Sequence, residues 1–179
     1  MNKYIKKLFK KVKLLILDVD GVLTRGEIIY DDKGRELKIF NVKDGLGIFL
    51  LGKAGIKTIF LTAKDSPVVR RRARDMRVEE VIGGILPKES VLHDIKKRYG
   101  VSAGEICFIG DDLIDLGLME RVGLGVAVGD APVVVKRAAG YVTCARGGEG
   151  AVREIVDLIL ASQHLNEKVY RWLRNPRQI

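Results

Sequence analysis

Asp18 and Asp20 stand one residue apart at the end of an apolar run, in Leu14-Leu15-Ile16-Leu17-Asp18-Val19-Asp20-Gly21-Val22-Leu23-Thr24. Four aliphatic residues in a row read as a buried strand. Side chains two apart on a strand share a face, so where the strand gives way to a loop both carboxylates can turn into one pocket. Two such acids repel unless a metal ion, another cation or a proton stands between them. Magnesium with a phosphate ester answers that need. One acid can attack phosphorus while the other gives a proton to the leaving oxygen.

Further polar groups recur in the same position, just past an apolar segment. Thr62 follows Lys57–Leu61, Lys88 opens a helix after Gly83-Gly84, and Asp111, Asp112 and Asp115 follow Glu105–Ile109 through Gly110. In a parallel sheet the carboxyl ends of the strands meet on one edge, so residues far apart in sequence share a pocket. The chemical types complement one another. Asp18 fits a nucleophile and metal ligand. Asp20 fits a general acid and then base that also lends its backbone carbonyl to the metal. Asp111 completes a magnesium shell whose other positions go to waters, since magnesium prefers oxygen ligands in octahedral array. Asp112 and Asp115 stand behind these ligands, orienting waters and Lys88. Thr62 offers its hydroxyl to a phosphoryl oxygen, and Lys88 offsets the charge on Asp18 and on the transferring group. Taken singly, each has an ordinary explanation: an acid pair in a turn, a threonine helix cap, a surface lysine. Taken as an ordered set on successive strand ends, they read as a catalytic centre.

The elements that must position this set alternate along the chain. Strands are expected at Val12–Leu17, Lys57–Leu61, Glu80–Ile82, Glu105–Ile109, Leu124–Val128 and Tyr141–Thr143. Helices are expected at Asp44–Ala54, Ser66–Met76, Lys88–Tyr99, Leu113–Arg121, Ala131–Ala138 and Glu149–Leu160, several punctuated by Pro67, Gly55 or Gly100. Glu27–Tyr30 and Glu36–Phe40 flank Asp31-Asp32-Lys33-Gly34 and read as a hairpin. Strands separated by helices give βαβ units, hence an α/β fold: a three-layer Rossmann-like parallel sheet with a protruding β-hairpin. The polar stretch 163–179, with Trp172, is either a helix packed on the body or a mobile tail.

A chain of 179 residues fits a single domain, 1–179, with a sizeable core. No apolar stretch nears the roughly 20 residues that span a bilayer. The basic start is followed by a short apolar run without a small-residue cleavage site, so a cytoplasmic location is expected and no membrane partner. Two cysteines, Cys107 and Cys144, and two histidines, His93 and His164, make neither a disulfide framework nor a zinc site. The net charge of +9 sits entirely in the ends: six lysines in residues 1–13, and Lys168, Arg171, Arg174 and Arg177 against Glu167 in residues 163–179. The body is balanced, which argues against a nucleic-acid groove built into the fold. Residues 1–11 are therefore expected as a basic, solubilising arm.

Asp18-Val19-Asp20-Gly21-Val22-Leu23-Thr24, Thr62, Lys88 and Gly110-Asp111-Asp112-Leu113-Ile114-Asp115 resemble the four motifs of the haloacid dehalogenase superfamily. The resemblance spans about residues 12–162 and implies a magnesium-dependent phosphatase with an aspartyl-phosphate intermediate. The short spacings between Asp18, Thr62 and Lys88 leave no room for a large cap domain. The hairpin, the stretch Phe40–Ile48 and Gly147-Gly148-Glu149-Gly150-Ala151-Val152-Arg153-Glu154 are similar to the capless branch, which acts on phosphorylated sugar acids. That branch includes the 3-deoxy-D-manno-octulosonate 8-phosphate phosphatases of lipopolysaccharide biosynthesis and the 9-phospho-nonulosonate phosphatases. The resemblance implies a homotetramer whose neighbouring subunits close the site, and a substrate-binding set of Asp18, Asp20, Gly21, Thr62, Ala63, Lys64, Arg72 and Lys88. Ala63-Lys64 stand where the octulosonate phosphatases usually carry Gly-Arg. Lysine keeps the charge and loses the bidentate fork that suits a carboxylate. Two other readings are a phosphatase for nucleotides, suggested by the basic ends, and a catalytically silent scaffold of the same fold.

Overall fold

The computed structural model describes residues 3–174. Its centre is a six-stranded, all-parallel sheet. In chain order the strands are β1 (Leu14–Leu17), β4 (Lys57–Thr62), β5 (Glu80–Gly83), β6 (Ile106–Gly110), β7 (Leu124–Ala127) and β8 (Tyr141–Val142). Their spatial order is β5-β4-β1-β6-β7-β8. The two remaining strands, β2 (Ile29–Tyr30) and β3 (Glu36–Leu37), form the antiparallel hairpin, with Ile29 opposite Leu37 and Tyr30 opposite Glu36. Asp31 shapes its turn by accepting the backbone N–H groups of Lys33 and Arg35.

The continuous Leu14–Leu17 run has no solvent exposure because β1 is covered on both faces and paired on both edges, with β4 and β6. Burying each such side chain contributes about 1.5–3 kcal/mol. From β1 the chain builds outward to β4 and β5, then returns to β6 on the opposite side. The strand order thus reverses at β1, where open α/β sheets leave a crevice at the carboxyl ends.

Helices flank the sheet in a Rossmann-like arrangement. Helices α2 (Val42–Ala54) and α7 (Ala151–Ser162) pack on each other. Asn41 caps α2 by accepting the N–H of Lys43, and Gly55 closes it in the left-handed conformation. The other helices are α3 (Pro67–Asp75), α4 (Leu92–Tyr99), α5 (Leu116–Met119) and α6 (Val133–Ala138). Short 3₁₀ turns, Lys88–Val91 and Leu113–Asp115, stand where longer helices are expected from sequence. At the second, Asp112 and Asp115 form a capping box that tightens the chain.

Residues 3–11 correct the expectation of a free arm. They form helix α1 (Lys3–Lys11), packed on α7 with Phe9 fully buried against the edge of Tyr141. Gln163, just after α7, donates to the carbonyls of Phe9 and Val12 and so ties the end of α1 to the end of α7. The expected tail resolves in part as helix α8 (Asn166–Leu173), whose Val169 is buried and whose Trp172 meets Phe49 of α2 edge-on. Residues 175–179 of that tail lie outside the described residues. Among the described residues, both cysteines are free and no helix is long and apolar enough to cross a membrane.

Candidate active site

The loop after β1 is folded by its own sequence. Val19 accepts the N–H groups of Val22 and Leu23, and the buried Thr24 hydroxyl accepts those of Gly21 and Gly26. Asp18 still donates its N–H to the Ile109 carbonyl, so the sheet fixes its backbone. Gly147 supports the loop from behind. A side chain there would stand 1.7 Å from the Gly21 carbonyl, so glycine alone permits the approach. Asn41 holds the same segment by donating to the Gly148 carbonyl.

A cleft of about 360 Å³ opens at the carboxyl ends of β1, β4 and β6. Asp18, Asp20, Gly21, Thr62, Ala63, Lys64, Asp111 and Asp112 all line it. Lys88 lies under this floor with no exposure, its Nζ 2.8 Å from Asp18 and 2.6 Å from Asp115. Asp115 also accepts the N–H groups of Asp111 and Asp112, which places both beside the cleft. Thr62 is buried, and its hydroxyl accepts the Lys64 N–H.

Carboxylate oxygens of Asp18, Asp111 and Asp115 lie within 4.8 Å of one another. Burial raises the Asp18 carboxyl above the ordinary range, against the pull of Lys88. Burial and then the neighbouring Asp18 charge raise Asp111. Burial alone would lower the Lys88 ammonium, but the charges of Asp18 and Asp115 outweigh it and raise the group. The pocket therefore crowds more negative charge than one lysine balances. Asp115 is saturated by Lys88 and two backbone donors, which leaves Asp18 and Asp111 as the open oxygen donors. An all-oxygen set with excess negative charge fits a hard divalent cation such as magnesium.

Two expected site residues, Asp112 and Arg72, are placed differently. Asp112 does not reach Lys88; its carboxylate caps Leu113 and is exposed. The Asp20 carboxylate, which lines the cleft as expected, pairs with Lys38. Arg72 does not line the cleft. Its guanidinium lies over the Phe40 ring and donates to the Asn41 carbonyl, packed against Gly45. A helix carrying Arg70, Arg71, Arg72 and Arg74 does not reveal by composition which of them faces inward.

The sequence reading passed over Lys38 and Glu36. Lys38 Nζ pairs with Asp20 and with Glu36, the latter at 3.4 Å. Glu36 accepts Lys64 at 2.7 Å and the Ser66 hydroxyl at 3.1 Å. The available signal was their spacing of two on a strand, which puts both on one face. Arg25 and Asp130, outside the quoted motifs, also line the cleft, as does Ile114 of the fourth motif.

Residues 73–155 match the family of haloacid dehalogenase-like hydrolases. Over 154 residues the chain is 44% identical to the 3-deoxy-D-manno-octulosonate 8-phosphate phosphatase KdsC of Haemophilus influenzae, covering 86% of each protein. A solved structure of the Moraxella catarrhalis 3-deoxy-D-manno-octulosonate 8-phosphate phosphatase, in complex with magnesium ion, phosphate ion and a KDO molecule, aligns with a TM-score of 0.92 and 35% identity. That alignment covers 96% of this chain and 99% of the other. The cobalt-bound Haemophilus influenzae deoxy-D-mannose-octulosonate 8-phosphate phosphatase aligns at 0.84 with 43% identity, covering 88% and 92%.

Proposed function

The chain belongs to the haloacid dehalogenase-like hydrolases, in the capless branch, and is a phosphoric monoester hydrolase; from that premise we propose that it hydrolyses 3-deoxy-D-manno-octulosonate 8-phosphate with magnesium, through an aspartyl-phosphate. The observation that carries the mechanism is Asp18 at the cleft floor, backed by the buried Lys88 and facing the carboxylate of Asp111. The substrate assignment is supported by the relatives above.

Asp18 attacks phosphorus and the bond from phosphorus to the sugar oxygen breaks. Asp20 hands its proton to that oxygen, and the phosphoryl group rests on Asp18. Asp20, now a carboxylate, takes a proton from water, whose oxygen attacks phosphorus, frees phosphate and restores Asp18. Thr62 donates to a phosphoryl oxygen and Lys88 keeps Asp18 ionised and aimed. Asp18, Asp111 and the Asp20 backbone carbonyl would hold magnesium, which supplies positive charge to the phosphoryl oxygens.

The nucleotide reading draws no support from the N-terminal lysines. The lysines of α1 precede β1 and so sit at the amino edge of the sheet, opposite the cleft. Self-association as a tetramer is supported by the exposed apolar side chains Ile28, Tyr30, Leu37, Ile39 and Val42 around the hairpin. The test is phosphate release from octulosonate 8-phosphate, a 9-phospho-nonulosonate and nucleoside monophosphates, each with magnesium. Octulosonate 8-phosphate is expected to be preferred, and Asp18→Asn to lower turnover about a thousandfold or more. A preference for either other class overturns the substrate; full activity in Asp18→Asn overturns the nucleophile.

A further inference from the structure

Glu36 of β3 and Lys38, just past its end, pair with two residues that line the cleft, Lys64 and Asp20. Glu36 and Lys38 share one face of the hairpin, and the Lys38 side chain is only 4% exposed. A lysine withdrawn from water needs a charged partner to hold it there. Lys38 has that partner in Glu36, and it also donates to Oδ1 of Asp20, a bond that leaves Oδ2 free to carry a proton. Glu36 in turn binds Lys64 and Ser66 beyond β4. The result is a line of alternating charge, Asp20–Lys38–Glu36–Lys64, that ties the loop after β1 to the loop after β4.

Asp20 needs such a tie. Its side chain is 39% exposed, in a cleft that no cap covers, and among the described residues Lys38 alone binds its carboxylate. An unrestrained Asp samples several rotamers, and few of them aim an oxygen at a leaving group. We propose that Lys38 is the positioning residue for Asp20: it engages Oδ1 and leaves Oδ2 turned toward the ester oxygen, while Glu36 fixes Lys38. The hairpin thereby supplies from within the chain the restraint that a cap supplies elsewhere. This inference rests on the role of Asp20 given above.

The experiment compares kcat/KM for two esters in the wild type, Lys38→Met, Lys38→Arg and Asp20→Asn. One ester is an alkyl phosphate, the sugar-acid phosphate or any alkyl ester the wild type cleaves. The other is p-nitrophenyl phosphate, whose leaving group departs without a proton. General acid catalysis contributes about 10²–10⁴-fold. Lys38→Met is expected to lose about ten- to a hundredfold on the alkyl ester, and at least about tenfold less on the aryl ester. Lys38→Arg, which keeps charge and reach, recovers most of the loss. Because kcat/KM counts steps only through departure of the leaving group, the later hydrolysis common to both esters does not mask the difference. If Lys38→Met is insoluble, Glu36→Gln is expected to show the same ester dependence at smaller size. Equal losses on both esters, or none, overturn the inference. If Asp20→Asn itself shows no ester dependence, the general-acid assignment falls and this inference with it. A wrong sugar acid would show only in the wild-type substrate preference.

Discussion

Gly21 lies flat against the carboxylate of Asp111. A Cβ at Gly21 would stand 2.0 Å from Asp111 Oδ2, and the residue sits at a φ of +86°. The loop that carries Asp20, the proposed proton donor, and Asp111, the proposed cation ligand, therefore share one contact surface. Gly21→Ala has to displace one of them and also strains the backbone, by about 1–2 kcal/mol. A displacement of about 1 Å near reacting groups costs about a hundredfold in rate. The expected outcome is a fall of that order in phosphate release, with a small decrease in the urea midpoint. Wild-type turnover would show that the contact imposes no constraint.

Lys88 carries a second prediction. It is fully buried between Asp18 and Asp115, so Lys88→Met leaves two buried carboxylates without their cation. Removing one partner of a buried ion pair costs about 3–5 kcal/mol. Chemical denaturation should read that loss, and the pair Lys88→Met/Asp115→Asn should recover part of it. An unchanged midpoint in the single variant would mean that water already solvates the group.

A third prediction concerns acid. The side chain of Lys13, followed by the N–H and hydroxyl of Ser102, lowers the Glu105 carboxyl to about 2 from an ordinary 4.5. A carboxyl depressed by folding stabilises the native state above its unfolded pKa, and that contribution is lost as pH falls through the folded one. The window is therefore about pH 4.5 down to 2. Lys13→Met should show a shallower decline of Tm across that window than the wild type, with the two proteins converging at its acid end. Parallel melting curves down to pH 2 would remove Lys13 as the cause.

The strands were legible because the parallel sheet is covered on both faces, so Leu14–Leu17 and Ile106–Gly110 appear as unbroken apolar runs. The candidate site was legible because its acids and Thr62 each follow such a run, and Lys88 opens the helical segment after Gly83-Gly84. Lys38 was not, because its partner is 18 residues away across a loop and alternation reveals a face without revealing what the face meets. The inward turn of Arg72 depends on helical phase against Phe40, which four nearby arginines conceal. Six lysines among residues 1–13 made residues 1–11 look like an arm. The spacing of Ile5, Leu8 and Phe9 marks the narrow apolar stripe on which α1 docks.

The double pairing of β1 has a dynamic consequence. Its amides are bonded within the sheet on both sides, so exchange with deuterium requires the whole sheet to open. Asp18, the residue directly after β1, is tethered to β6 through the Ile109 carbonyl, whereas Asp20 already belongs to the loop. Asp18, the proposed nucleophile, thus sits on the rigid core, while Asp20 two residues later, the proposed proton donor, has the hairpin's Lys38 as its restraint.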